Sequence, residues 1–221
     1  MGMAATKAYK GLGMEGRVAK WYAANTRKGL DEFRALARQV AGELRPQSRV
    51  LEVAPGPGYF AIELAKIGDY QVDGLDISKT FVEIGSRNAK EANVDVAFLQ
   101  GNASSMPYEN ASFDFVFCRA AFKNFTDPVG ALQEMCRVLK PGGKGLLIDL
   151  RRDVSPGSIR KAVDSMGLNF LNRIFTTLIF RFMLLKRAYT ESQFRDFFSR
   201  TQFRSLDYRQ SPIGLEISFE R

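Results

Sequence analysis

Between residues 29 and 44 the apolar positions Leu30, Phe33, Leu36, Ala37, Val40, Ala41 and Leu44 recur at helical spacing, with Asp31 and Glu32 in the first turn and Pro46 beyond the end. The run Arg49-Val50-Leu51-Glu52-Val53-Ala54 reads as a buried strand, followed by the loop Ala54-Pro55-Gly56-Pro57-Gly58. A helix over 59–67 stops at Gly68. The alternation then repeats: a strand over 70–76, a helix over 78–93 with Ser78 as its N-cap, and strands over 94–100 and 113–118. A helix over 128–139, closed by Pro141-Gly142-Gly143, leads to a strand over 145–150. Strands without polar alternation, separated by helices, predict a parallel sheet covered on both faces.

The end of the chain breaks this rhythm. Strands at 203–210 and 214–219 are joined by Ser211-Pro212-Ile213, which leaves no room for a crossover helix, so they must pair antiparallel. The expected fold is α/β: a doubly wound, Rossmann-like, seven-stranded sheet of five parallel strands plus a C-terminal antiparallel hairpin. It occupies one domain over 1–221, with residues 1–44 as an N-terminal helical cap and 155–188 as an inserted helical lid. Within that insertion Leu171, Ile174, Phe175, Leu178, Ile179, Phe182 and Leu185 form one apolar stripe. Interrupted by Arg173 and Arg181, it is too short to span a bilayer, which leaves a lid or a peripheral membrane contact through 168–185.

Composition narrows the chemistry. The 221 residues suffice for one sizeable core. Cys118 and Cys136 are too few for a disulfide framework and fall in core segments, and the first residues lack the apolar core of an export signal, so the expected setting is reducing and cytoplasmic. The chain contains no histidine and no cysteine pair at ligand spacing, so no metal site is expected. Any general base must then be a carboxylate, Tyr, Lys or Cys. The net charge of +8 is uneven: residues 1–50 carry +6, residues 51–150 carry −4, and residues 151–221 carry +6. Solvated surface, an anionic acceptor, an anionic membrane or RNA each accounts for the basic ends.

A glycine-rich turn between first strand and first helix lies where such sheets bind ligands, and an acidic residue about 20 positions on binds ribose hydroxyls. Gly56, Gly58 and Asp76 occupy these places. Gly56-Pro57-Gly58-Tyr59-Phe60-Ala61 also satisfies a dinucleotide fingerprint, so the loop alone leaves a NAD-type oxidoreductase open. Pro55 and Pro57 lack the N–H groups a pyrophosphate needs, and Glu52 would repel phosphate while suiting a cation.

Five motifs in order carry a resemblance: Glu52-Val-Ala-Pro-Gly-Pro-Gly58, Gly74-Leu-Asp-Ile-Ser78, Gly101-Asn-Ala-Ser-Ser-Met-Pro107, Phe113-Asp-Phe-Val-Phe117 and Arg137-Val-Leu-Lys-Pro-Gly-Gly143. Over roughly 45–150 the chain resembles the class I S-adenosylmethionine-dependent methyltransferases, and most the branch of the ubiquinone and menaquinone C-methyltransferases, where an element like Asn124-Phe-Thr-Asp127 also occurs. The resemblance implies S-adenosyl-L-methionine as cofactor. Glu52 would lie near its amino group, and Ala54, Pro55, Gly56 and Gly58 along its amino-acid portion. Asp76 would hold the ribose, Ile77 the adenine face, Asn102 and Ala103 the adenine edge, and Cys118 and Arg119 the methionine end. Two departures stand out. Ala54 replaces the first glycine of the loop and requires a negative φ there. Asn102 replaces an aspartate, leaving its amide oxygen to accept from the adenine amine.

Methyl transfer is an in-line displacement that needs mainly positioning. The segments after the fourth and fifth strands bring Phe122, Lys123, Asn124 and Arg151 towards the acceptor, and an N-terminal segment brings Trp21 and Tyr22; Tyr22 is the candidate base or orienting hydroxyl. Arg119, Lys123 and Arg151 suit an anionic acceptor. The expected activity is methyl transfer to a small, partly apolar or aromatic acceptor. The alternative is an RNA or protein methyltransferase using the basic termini, although the Asn/Asp-Pro-Pro-Tyr element of amino-methylating nucleic-acid enzymes is absent after the fourth strand. The acceptor atom and the oligomeric state are not written in these motifs.

Overall fold

A computed structural model describes residues 9–10, 13–164, 170–179 and 184–221, with the backbone alone at 170–172, 175 and 179. β1 (Arg49–Val53), β2 (Gln71–Asp76), β3 (Val96–Gln100), β4 (Phe113–Arg119) and β5 (Leu139–Leu150) run parallel, and β6 (Ser205–Gln210) and β7 (Gly214–Glu220) form the C-terminal hairpin. The order across the sheet is β3-β2-β1-β4-β5-β7-β6, with β7 antiparallel to β5. The expected fold is the one observed.

The helices are α1 (Gly16–Thr26), α2 (Leu30–Ala41), α3 (Tyr59–Ala65), α4 (Lys79–Glu91), α5 (Pro128–Val138), α6 (Pro156–Asp164), α7 (Phe170–Ile179), the single turn α8 (Leu185–Arg187) and α9 (Glu191–Ser199). Local chemistry sets their starts. Ser78 accepts the Phe81 N–H at 3.1 Å, and Asp127, ahead of Pro128, accepts the Gly130 N–H at 2.9 Å. α3 begins differently: its cap Gly58 has no side chain, and the Glu52 carboxylate from β1 accepts the Ala61 N–H at 3.0 Å instead. One cluster, with Leu51, Val116, Phe122, Leu132, Phe194 and Ile217, fills one face of the sheet, and a second, with Val50, Phe60, Leu64, Val72 and Phe117, fills the other.

Two details differ from the sequence pattern. β5 begins at Leu139, directly after α5, so Pro141-Gly142-Gly143 lies inside the strand. The backbone there pairs with the chain's last residue, Gly142 N–H to the Arg221 carbonyl at 2.8 Å and Arg221 N–H to the Gly143 carbonyl at 3.0 Å, while Gly142 takes φ +74°. Of the apolar stripe over 171–185, Leu171, Phe175, Ile179 and Phe182 fall outside the described side chains. Ile174 and Leu178 are exposed on α7, and Leu185 packs with Ile159 and Val163 of α6. No helix among the described residues is long and apolar enough to cross a membrane.

Candidate active site

The strand order turns back between β1 and β4, which opens a crevice at the carboxyl ends of these two neighbours. The hydrogen bonds mark the parting. The Ala54 N–H at the tip of β1 goes to Leu75 of β2, and the Ala120 N–H at the tip of β4 goes to Ile148 of β5, both at 2.8 Å. Both alanines sit at φ +57°, a left-handed conformation that costs a non-glycine residue about 1–2 kcal/mol. The negative φ expected of Ala54 is therefore wrong: its amide turns to β2, and the chain must reverse at once into the loop.

On the β1 side, two carboxyls are buried within a short stretch. Asp76 is 5% exposed; it accepts the Gly56 N–H and the Ser78 N–H, each at 2.9 Å. Burial pushes its pKa up to about 6, against those two donors. Glu52 is 4% exposed, and burial pushes it up to about 8, with Asp76 raising it and Arg119 lowering it. No cation stands within ion-pair distance of either carboxyl among the described residues. The two loop glycines do different work. A Cβ on Gly56 would meet nothing closer than Tyr22 Cε1 at 4.0 Å, so its backbone faces open space. A Cβ on Gly58 would strike Phe98 at 2.4 Å, so that glycine, at φ +78°, serves packing. Beyond Asp76, Ile77 leaves an apolar side chain exposed.

These residues fit S-adenosylmethionine. An open glycine backbone lies beside a carboxylate with lone pairs to spare, an exposed aliphatic surface follows it, and a buried carboxyl without a cationic partner stands nearby. Asn102 fits its expected part less well. Its side-chain oxygen already accepts the Ser104 N–H and hydroxyl, each at 3.0 Å, so the side chain offers donors, not the expected acceptor. Ala103 is half-buried beside it. Cys118 is buried, and burial holds its thiol well above the ordinary range, which makes it a packing residue.

On the β4 side the expected cations are already neutralised. Arg119 pairs with Glu32 of α2 at 2.7 Å and lies 4.8 Å over the Phe33 ring. Lys123 is buried, its ammonium 2.9 Å from Asp149 Oδ1 and its backbone N–H 2.9 Å from Oδ2. Arg151 reaches Glu191 at 3.1 Å and Asp153 at 3.2 Å. Phe122, fully buried, is the hub of rings from Phe125, Tyr189, Phe194 and Phe197. Phe122 and Lys123 thus hold the loop in place from below; neither lines an open pocket. The Asn124 carbonyl accepts the Lys10 N–H at 2.8 Å.

Described parts of the N-terminal segment lie at this end, and Trp21 does not share in it. Tyr22 packs edge-on against Phe81 and borders Gly56. Trp21 is 68% exposed and points away, because Ala19 and Ala23 on the opposite side of α1 pack against Phe81 and Ile84. The pattern of residues 1–13 gave no sign of Tyr9 and Lys10. Tyr9 bridges to Phe125, and burial raises its phenol, with Tyr22 and Asp76 adding and Arg187 opposing. The Lys10 ammonium lies 4.5 Å over the Tyr189 ring and bonds its hydroxyl. Only the α/β topology brings residues 10 and 189 together. No group of three metal-ligating side chains occurs among the described residues. A groove of about 440 Å³ between α2 and β5, β6 and β7 lies towards the other end of the sheet and shares no residue with this crevice.

Residues 51–147 match the family model of the methyltransferase domain. A demethylmenaquinone methyltransferase of Deinococcus radiodurans is 38% identical over 119 residues, which cover 52% of this chain and 49% of that protein. One from Lactococcus lactis subsp. lactis is 29% identical over 194 residues, 83% and 76% of the two chains. The chain thus spans about half the length of the first of these relatives. Among solved structures, one from Methanococcus maripaludis assigned to the S-adenosyl-L-methionine-dependent methyltransferases superposes with a TM-score of 0.78 over 100% of this chain and 97% of its own, at 21% identity.

Proposed function

We propose that this chain, which belongs to the class I S-adenosylmethionine-dependent methyltransferases, transfers a methyl group to a small, apolar, ring-bearing acceptor of the quinone type. The observation that carries the donor side is the open Gly56 backbone beside the buried Asp76 carboxylate. S-adenosylmethionine, when bound, supplies an electrophilic methyl group on a sulfonium. Asp76 holds the ribose hydroxyls, Ile77 supports the adenine, and Asn102 and Ala103 meet its edge. Glu52, without a cation of its own, takes the ionised form when one is laid against it. Ala54 and Pro55 shape the turn that presents Gly56, and Cys118 and Arg119 bound the far side.

The acceptor side is set by what its charges already do. Arg119, Lys123 and Arg151 each hold a carboxylate, so none is free to draw in an anion, while Tyr22 beside Gly56 and Ile77 beyond Asp76 are exposed. A neutral ring suits such a surface. Tyr22 orients the acceptor through its hydroxyl. Tyr9, kept protonated by burial, donates a hydrogen bond to an acceptor oxygen. The described parts of 1–44 act as a cap over the crevice and those of 155–188 as a lid on its acceptor side, where Ile159 and Val163 pack near the end of β5. The relatives' names agree with a quinone-like acceptor.

Calorimetry with S-adenosylhomocysteine and with NAD tests the donor: binding of the first and not the second is expected, and the reverse overturns the reading. Incubation with S-adenosylmethionine and either reduced demethylmenaquinone or tRNA, followed by mass spectrometry, tests the acceptor. Gain of one methyl by the quinol is expected; methylated tRNA and unchanged quinol would exclude it.

A further inference from the structure

α1 carries an aromatic residue that neither the core nor the cofactor cradle uses. Ala19 and Ala23 turn inward against α4, and Trp21 rises on the opposite side, 68% exposed. Val18, one turn earlier, is 49% exposed, and Ala24, one turn later, is exposed as well. Arg17, Lys20, Arg27 and Lys28 surround this crest, all exposed, and no acidic residue occurs from Gly16 to Gly29. Glu15, just before the helix, is occupied by the N–H groups of Lys79 and Thr80, each at 3.0 Å. Lys28 reaches only the Asn25 side-chain oxygen, at 3.4 Å, and the other three cationic side chains pair with no carboxylate among the described residues.

An indole and a valine on the crest of a convex helix, ringed by cations that hold no carboxylate among the described residues, fit neither water nor a packed core. They fit the interface of an anionic bilayer, where indole and aliphatic groups enter the headgroup layer and basic side chains meet lipid phosphates. Proteins that stack nucleobases set their aromatic platforms in a cationic groove, whereas Trp21 has aliphatic neighbours on an outward-curving surface. We propose that α1 docks this protein on an anionic lipid surface through Trp21 and Val18, with Arg17, Lys20, Arg27 and Lys28 holding the headgroups. Tyr22, the next residue, borders the open backbone of Gly56, so docking sets the crevice beside the bilayer. Delivery of an apolar acceptor from the membrane rests on the reading of function above; the docking does not.

Trp21 is the single tryptophan of the chain, so intrinsic emission reports on this contact alone. The full chain is titrated with phosphatidylcholine vesicles with and without phosphatidylglycerol. With phosphatidylglycerol, a blue shift of the emission and quenching by bromine-labelled acyl chains are expected, with much weaker effects on phosphatidylcholine alone. Replacing Arg17→Glu together with Lys20→Glu should lower the vesicle association constant about tenfold or more, with S-adenosylhomocysteine affinity unchanged as the check on folding. Vesicle binding without a change in Trp21 emission, or binding indifferent to the double replacement, overturns the proposal. So does a shift caused by single-stranded RNA and not by vesicles, or one that grows with protein concentration alone, which would identify a second copy as the occupant. Vesicle binding with no methyl transfer to the quinol would leave the docking intact and remove the acceptor reading.

Discussion

The two sides of the crevice handle buried charge in opposite ways. On the β1 side the carboxyls Glu52 and Asp76 are held by backbone N–H groups alone, and burial raises both. On the β4 side three carboxylates have their cations among the described residues: Asp149 with Lys123, Glu32 with Arg119, Glu191 with Arg151. On the function proposed above, the β1 side keeps two acids for a cationic cofactor, and the β4 side, already neutral, faces the acceptor. The same strained alanine turn ends both strands, so the difference lies in the side chains and not in the backbone.

The most damaging test of this contrast is on the β4 side. Lys123→Met leaves the fully buried Asp149 side chain without its cation and should destabilise the protein by about 3–5 kcal/mol in denaturant melts. Adding Asp149→Asn should recover most of that loss; no recovery would mean that Lys123 acts by some contact other than charge. On the β1 side, Asp76→Ala should weaken S-adenosylhomocysteine binding more than tenfold by calorimetry, and unchanged affinity would refute the ribose assignment. It also frees the Gly56 and Ser78 N–H groups, so a stability loss of about 1–2 kcal/mol should accompany it.

The pH response separates the sides further. Glu52 titrates near 4.5 when unfolded and at about 8 when folded without cofactor, so the folded state holds the extra proton between these values. Its stabilising effect is complete below pH 4.5 and is lost as pH rises towards 8. Binding of a cation demands the ionised form, so S-adenosylmethionine affinity should rise over the same window, by about tenfold per unit at most. Glu52→Gln should flatten both slopes between about pH 6 and 8, above the range in which Asp76 titrates, whereas a slope retained there would assign the proton elsewhere. The smallest effect concerns the turn the two sides share: Ala54→Gly relieves φ +57° and should stabilise the protein by about 1 kcal/mol, and a loss of stability would show that the methyl group's packing outweighs the strain.

How much of this was legible in the sequence follows the same divide. The proposed cofactor side lies within one strand-turn-helix-strand stretch, so the closeness of Gly56 to Asp76 and of Glu52 to the start of α3 follows from their spacing, and the hairpin from its short turn. The acceptor side is assembled from distant parts. Arg119 meets Glu32 across 87 positions and Lys10 meets Tyr189 across 179, and no local pattern encodes such partners. That is why Lys123 and Arg151 read as candidates for holding an anionic acceptor and why Trp21 read as a pocket residue. Its direction depends on which face of α1 packs on α4. The sign of φ at Ala54 was hidden for a related reason, since the neighbouring strand's carbonyl sets it.

The ring of Phe98 touches more than Gly58. A Cβ on Gly74 would come within 2.6 Å of it and one on Gly85 within 3.0 Å, so glycines from a loop, a strand and a helix close on one phenyl group. These four positions form a single mutational unit. An alanine at position 58 or 74 becomes sterically admissible only after residue 98 has shrunk, and a smaller residue at 98 opens a void until a glycine grows. The order of substitutions therefore decides which lineages stay folded, and part of what reads as a ligand-binding fingerprint in this fold is inherited from the shape of one half-buried side chain.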